Sequence, residues 1–164
     1  MKKLLSVLLI FVTVATANAQ NSTASNTSFS LGAELALPTG GFATIYSFGY
    51  GASAQANFGI GSGAAITAYA GYIHFSFKNI YGSGGQGHIP LLGGVEVNLS
   101  PTIFASGQLG ATFYSTSGSS TAFTYAPGLG LRASKNISFL LKYVGESANG
   151  GSAGYVGLRA AYHF

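Results

Sequence analysis

The chain contains no cysteine, and charged residues make up only 6% of it. Without cysteine, no disulfide framework holds the fold. A charge content so far below the roughly 25% of ordinary soluble domains leaves membrane proteins and disordered chains as the two classes to weigh. Disorder is excluded by a 13% aromatic content and by strong alternation of apolar and polar residues. Long apolar runs are also missing once the first residues are set aside. A membrane chain without spanning helices has to satisfy its backbone hydrogen bonds as a closed β-barrel. Nucleic acid is excluded as a partner. With Lys2 and Lys3 removed, five basic residues face three acidic ones, and a formal charge near +2 carried by so few groups makes no basic patch.

The first residues read as a leader. Lys2 and Lys3 form a basic start, Leu4 to Ala15 an apolar stretch broken by Ser6 and Thr13, and Ala17-Asn-Ala19 the small residues a signal peptidase reads. The apolar run is shorter than the roughly 20 residues a spanning helix requires. Residues 1–19 are therefore expected to be a cleaved signal peptide, 20–27 a short polar periplasmic segment, and 28–164 the barrel. No cysteine follows the small residues, so no lipid anchor is expected.

What the chain does have is period-two alternation, which gives a strand one apolar and one polar face. Segments of this kind run over Ser28–Leu37, Phe48–Phe58, Ala64–Phe75, Ile89–Leu99, Thr102–Phe113, Phe123–Ala133, Ile137–Tyr143 and Val156–Phe164. Most approach the 9–11 residues of a tilted strand that crosses a bilayer. In the third, Ile66, Ala68, Ala70 and Tyr72 share the apolar phase but His74 falls on it too, which predicts a bulge or the strand's end nearby. Glu34, Glu96, Arg132, Lys142 and Arg159 all fall on the polar phase. That phase is rich in small residues such as Gly32, Gly49, Gly94, Gly128 and Gly130, which suit a lumen only just wide enough for side chains. Leu92, Phe104 and Leu140 also fall on it and run against the pattern.

The connections 38–47, 76–88, 115–121 and 145–153 read as long, and 59–63, 100–101 and 134–136 as short. Outer-membrane barrels keep short turns in the periplasm and longer loops outside, so four loops are expected outside the cell and both termini in the periplasm. Aromatics cluster toward strand ends, as interfacial girdles require.

The last segment, with Val156, Leu158, Ala160, Tyr162 and Phe164 on one face and an aromatic at the end, resembles the terminal strand of bacterial outer-membrane barrels. That resemblance implies a recognition signal for the barrel insertion machinery. Leu35-Ala-Leu-Pro-Thr-Gly-Gly-Phe42, Tyr46-Ser-Phe-Gly-Tyr-Gly51, Ala70-Gly-Tyr72 and Ile89-Pro-Leu-Leu-Gly-Gly94 resemble the small Gram-negative outer-membrane β-barrel domains. They are similar to the eight-stranded barrels of the outer-membrane protein A and X type. The likeness covers the segment after the leader and implies an all-β, eight-stranded antiparallel up-and-down transmembrane barrel. It is weak for activity, because members differ mainly in their loops. No peptidoglycan-binding domain is expected after Phe164.

Catalytic and cofactor motifs are scarce. Gly128-Leu-Gly-Leu-Arg-Ala133 matches a dinucleotide fingerprint but lies within a strand with no helix after it. A metal site would need His74, His88 and His163 to converge, and solvated or interfacial histidines are the plainer reading. A lipid A-modifying hydrolase would need a hydroxyl, a His and a carboxylate within reach. His74 and Ser76 are at a suitable height, but neither Glu34 nor Glu146, the latter read as a loop residue, is placed to orient them. The inward charges read as ion pairs filling the barrel: Glu34 with Arg159 and Lys142, and Glu96 with Arg132. The expectation is a non-enzymatic barrel of structural or surface-interaction role, without cofactor or metal, in contact with outer-membrane lipids. Asn79-Ile-Tyr81 is its most plausible external contact. The alternatives are a small pore, an outer-leaflet lipid-modifying enzyme and a soluble ligand-binding barrel.

Overall fold

Alternating apolar and small polar residues close into a barrel in the computed structural model, which describes residues 27–61, 63–78, 80, 83–115, 121–148 and 151–164. The elements are β1 (Thr27–Thr39), α1 (Phe42–Ile45), β2 (Tyr46–Gly59), β3 (Ala64–Phe77), β4 (Gly85–Asn98), β5 (Ile103–Ser115), β6 (Thr121–Arg132), β7 (Ile137–Ala148) and β8 (Gly151–His163). Each strand pairs antiparallel with the next, and β8 pairs with β1 to close the barrel in plain meander order. Thr27 and Phe164 lie at one end, called here the near end; α1 lies at the other, the far end. The expected signal peptide, all but Thr27 of the 20–27 segment, and both Asn79 and Tyr81 of the expected contact patch fall outside the described residues.

The strands are longer at the far end than their apolar patterning predicts. β4 begins at Gly85 rather than Ile89, β7 runs on to Ala148 rather than ending at Tyr143, and β8 begins at Gly151 rather than Val156. The predicted long connections therefore contract to residues 40–45, 78–84, 116–120 and 149–150, against 60–63, 99–102 and 133–136 at the near end. Glycine and serine at the far ends looked like loop chemistry, yet the ladder continues through them: Ser147 pairs with Ser152 and Gly145 with Gly154. The third strand likewise continues past His74 to Phe77. The irregularity lies on its partner, where the β2–β3 register shifts between Tyr46 and Phe48.

Between the two ends the outer surface is apolar all round. Leu31, Leu35, Val95, Leu109, Leu129, Leu141 and Leu158 are exposed along the middle, and Phe48, Tyr50, Tyr72, Phe113, Phe123, Tyr125 and Tyr143 ring the far end. Phe29, Phe58, Phe139, Tyr162 and Phe164 ring the near end. Among the described strand residues, Glu, Lys and Arg occur only on the inner phase. Water-soluble monomers rarely expose apolar patches beyond a few hundred Å²; a continuous belt between two aromatic rings is the surface of a transmembrane barrel.

Inside, glycines make room for rings and long side chains. A β-carbon on Gly49 would lie 2.7 Å from Phe75 Cε1, and one on Gly32 would lie 2.7 Å from Arg159 Nε. A β-carbon on Gly130 would overlap the Phe104 ring. Phe104, Leu92 and Leu140 are buried in the lumen, so the three residues that ran against the pattern fill the barrel without any slip in register. Gly107 is a natural control, since nothing lies within 4 Å of where its β-carbon would be. Gly130→Val should overpack the lumen and destabilise the barrel by about 1–3 kcal/mol, read as a lower urea midpoint in micelles. Gly107→Val should leave the midpoint nearly unchanged; equal effects of the two would refute this account of the glycines.

Candidate functional site

Two strands that never neighbour each other in sequence bring Glu34 and Arg159 face to face. They are directly paired across the β1–β8 seam that closes the barrel. Glu34 is 2% exposed and meets two cations: Lys142 Nζ lies 3.2 Å from Oε2, and Arg159 Nε 3.5 Å from Oε1. Two hydroxyls relay these contacts. Ser53 donates to Glu34 Oε1 at 2.8 Å while accepting from Arg159 Nε at 2.8 Å. Tyr69 donates to the same oxygen at 2.9 Å while accepting from Lys142 Nζ at 3.3 Å. The ammonium also sits 4.4 Å from the centroid of the Tyr69 ring, and Arg159 Nη2 donates to Ser30 Oγ at 3.0 Å. A carboxylate only accepts and a guanidinium or ammonium only donates. Hydroxyls, which do both, allow one carboxylate to serve two cations.

Toward the near end the lumen becomes an amide layer. Gln108 Nε2 donates to Gln55 Oε1 at 3.2 Å and lies 3.3 Å from Thr67 Oγ1, while Gln55 Nε2 donates to Asn57 Oδ1 at 2.8 Å. Beyond it Arg132 pairs with Glu96, and its guanidinium carbon stands 4.7 Å from the Phe104 ring centroid. This pair borders a polar cavity of about 310 Å³ at the near mouth, lined also by Ser28, Asn57 and Asn98.

Toward the far end the structure corrects two expectations. Glu146, read as a loop residue, is 2% exposed within β7, and His88, read as solvated or interfacial, is 1% exposed within β4. Both continue the inward phase of strands that run further than their apolar residues do. His88 Nδ1 lies 3.2 Å from both oxygens of the Glu146 carboxylate, and the Tyr114 hydroxyl donates to Oε2 at 3.0 Å. Rings close over this group: Phe75 at 4.7 Å and Tyr114 at 4.6 Å from the His88 centroid, then Phe42 of α1 at 5.0 Å from Phe75 and 4.5 Å from Tyr46. Gly40, with φ of 56°, makes the turn that directs α1 inward.

The remaining candidates stay apart. His74 faces outward beside Tyr50, with ring centroids 5.6 Å apart, and Ser76 shares that outer phase. Glu34 and Glu146 lie on the other side of the barrel wall, so no hydroxyl–His–carboxylate set assembles from these residues. His163 is at the near end, 2.7 Å from Ser138 Oγ, and no metal-holding group of three His, Cys, Asp or Glu occurs among the described residues. Val156, Leu158, Ala160 and Tyr162 lie on the outer phase of β8, and the Phe164 amide donates to Phe29 O at 3.0 Å.

Sequence reading missed Tyr69 and Ser53 as partners of Glu34. Both lie on the inward phase, so alternation marks their direction, but only the register of β2 and β3 brings them to one carboxylate. Glu34→Ala removes the counter-charge of two buried cations and is expected to cost roughly 3–5 kcal/mol, measured by urea unfolding in micelles. Glu34→Gln keeps an acceptor and should cost less; an Ala variant as stable as the parent would rule the pairing out as a source of stability.

No protein-family description matches the chain, and neither does any curated protein. Solved structures do match in fold. Ail, the attachment invasion locus protein of Yersinia pestis, aligns with a TM-score of 0.60 at 17% identity, over 84% of this chain and 97% of that one; it has also been solved with the heparin analogue sucrose octasulfate. The N-terminal β-barrel domain of Pseudomonas aeruginosa OprF aligns at 0.62 and 12% identity, over 84% and 97%. Neisserial surface protein A aligns at 0.52 and 12% identity, over 85% and 98%. This chain has the fold of the small eight-stranded outer-membrane barrels.

Proposed function

We propose that the protein is a non-enzymatic outer-membrane barrel of structural or surface-interaction role, with both termini in the periplasm and four far-end connections outside the cell. The observation that carries this reading is the use made of the lumen. Glu34, Lys142 and Arg159 hold one another, Glu96 holds Arg132, and Glu146 is taken by His88 and Tyr114. Each charged side chain of that set faces a partner within it, and the buried rings of Phe104, Tyr69, Tyr155 and Phe75 occupy the lumen between and beside these groups. Both features argue against the pore. The separation of the outward His74 and Ser76 from all three inward carboxylates argues against the lipid-modifying hydrolase.

The outward phase of β8 fits the expected insertion signal carried by Val156, Leu158, Ala160, Tyr162 and Phe164, and the apolar belt fits outer-membrane lipids as the solvent. Ail has been solved with a sulfated sugar, but the far end here carries Lys78 as its one Lys or Arg. Recognition of a polyanion therefore gains no support from charge. Short connections also favour a structural role over a reaching adhesin.

The test has two arms. In planar bilayers the purified protein should give no conductance steps, and discrete steps from the parent protein would favour the pore. In intact cells, a membrane-impermeant maleimide should label Lys78→Cys at the far end and spare Lys135→Cys at the near end; the reverse pattern would invert the topology.

A further inference from the structure

At the far end of β7 and β8 the outer face stops being apolar before the strands end. On β7 the outward residues after Tyr143 are Gly145 and Ser147, and on β8 the outward residues before Val156 are Gly154 and Ser152. Tyr125 lies over Gly145 and Tyr143 over Gly154: a β-carbon on Gly145 would overlap the Tyr125 ring, and one on Gly154 the Tyr143 hydroxyl. The two tyrosine rings stand 6.3 Å apart. They flank a notch of about 360 Å³ whose walls add the hydroxyl-bearing residues Thr39, Ser147 and Ser152 and the turn at Gly40–Gly41.

Among the described residues the β8 edge has no strand partner on its β1 side here. Pairing with β1 ends at Gly154 opposite Thr39, so the ladder toward β1 does not reach Ser152 or Ala153. The notch thus offers hydroxyls, aromatic rings and unpaired strand edge. Among the described residues no Lys or Arg lines it, and the one carboxylate, Glu146, is engaged inside the lumen.

We infer that this notch seats the uncharged sugar headgroup of a membrane glycolipid. Location limits the occupant: most of the lining is on the outward phase of β1, β6, β7 and β8, beside Tyr125 and Tyr143 of the far aromatic ring, where the solvent is headgroup rather than acyl chain or bulk water. Chemistry narrows it further. Lipid phosphates are captured by Lys and Arg, which are missing, whereas a polyhydroxylated ring satisfies hydroxyl donors and acceptors together and stacks on tyrosine faces. The inference rests on the membrane-barrel reading and deepens its lipid partner; it does not depend on which end faces outward.

The test uses the full barrel in lipid nanodiscs, with digalactosyl diacylglycerol and phosphatidylglycerol of matched acyl chains as probes, read by native mass spectrometry. Digalactosyl lipid should be retained about tenfold better, the worth of one or two net hydrogen bonds. Ser147→Leu combined with Ser152→Leu fills the notch from two exposed positions and should bring the lipids to parity, with folding checked by the gel shift on boiling. Tyr143→Phe keeps the ring over Gly154 while removing its hydroxyl, and should lower the preference even if the double variant does not fold. Parity or a phosphatidylglycerol preference in the parent would overturn the proposal, and so would an unchanged preference in the folded double variant or in Tyr143→Phe. Nanodiscs expose both leaflets, so these results stand apart from the maleimide labelling that tests topology.

Discussion

An eight-stranded barrel closes around a space that side chains themselves must fill, and any charge sent into it has to find its partner there. The rest of the interior follows from that constraint. Every acidic residue of the chain, Glu34, Glu96 and Glu146, lies on the inner phase, as do Arg132, Lys142 and Arg159, while Lys78 and Lys135 stay outside the strands. Three glutamates share the lumen with two arginines and one lysine, so its formal charge sums to about zero even though its layers differ. The central layer carries one carboxylate for two cations, and the far layer carries Glu146 with a histidine and a tyrosine. Desolvating an ion costs several kcal/mol and is offset only by good geometry and further hydrogen bonds. Ser53, Tyr69, Ser30 and Tyr114 supply those bonds.

The same lack of space explains why glycine is so frequent in strands that would otherwise avoid it. A residue without a side chain weakens a strand interior unless something needs the vacancy. Here Phe75 needs Gly49, Phe104 needs Gly130 and Arg159 needs Gly32 inside the barrel, and Tyr125 and Tyr143 need Gly145 and Gly154 outside it. Ring and gap sit on neighbouring strands. Sheet pairing therefore aligns them, and each ring covers backbone that its neighbour leaves bare.

Much of this was legible in the sequence because a barrel strand encodes its two environments with a period of two. Ile66, Ala68, Ala70 and Tyr72 lie on the outer phase, Leu91, Val95 and Val97 likewise, and the inward placement of Glu34, Lys142 and Arg159 follows from the same alternation. The reading failed where the outer face ceased to be apolar. Beyond Tyr143 and before Ile89 the outward positions are glycine and serine, which in a sequence look like loop, so Glu146 and His88 were lost with the strands that carry them. Opposite charge at a similar height pointed to partners even two strands apart, as with Glu96 and Arg132, but hydroxyl partners carry no such sign. Tyr69 reaches Glu34 from β3, two strands away, and nothing in a linear pattern records which long side chains meet across a closed cylinder.

Registration of the final seam is where these strands of argument meet. β1 and β8 are the most distant elements in sequence, and hydrogen bonding alone does not distinguish one antiparallel register from another. A shift of one residue turns every inward side chain outward. On β1 such a shift would put Glu34 into lipid and Leu35 into the lumen; on β8 it would expose Arg159 and bury Leu158. A shift of two residues keeps the faces but separates Glu34 from Arg159, leaving Arg159 in the lumen without the carboxylate it faces and Gly32 no longer beneath its guanidinium. The first error is excluded by the apolar belt and the second by the central ion group. The charged layer therefore does more than fill space: it distinguishes the one closure of β1 on β8 in which belt and lumen are both satisfied.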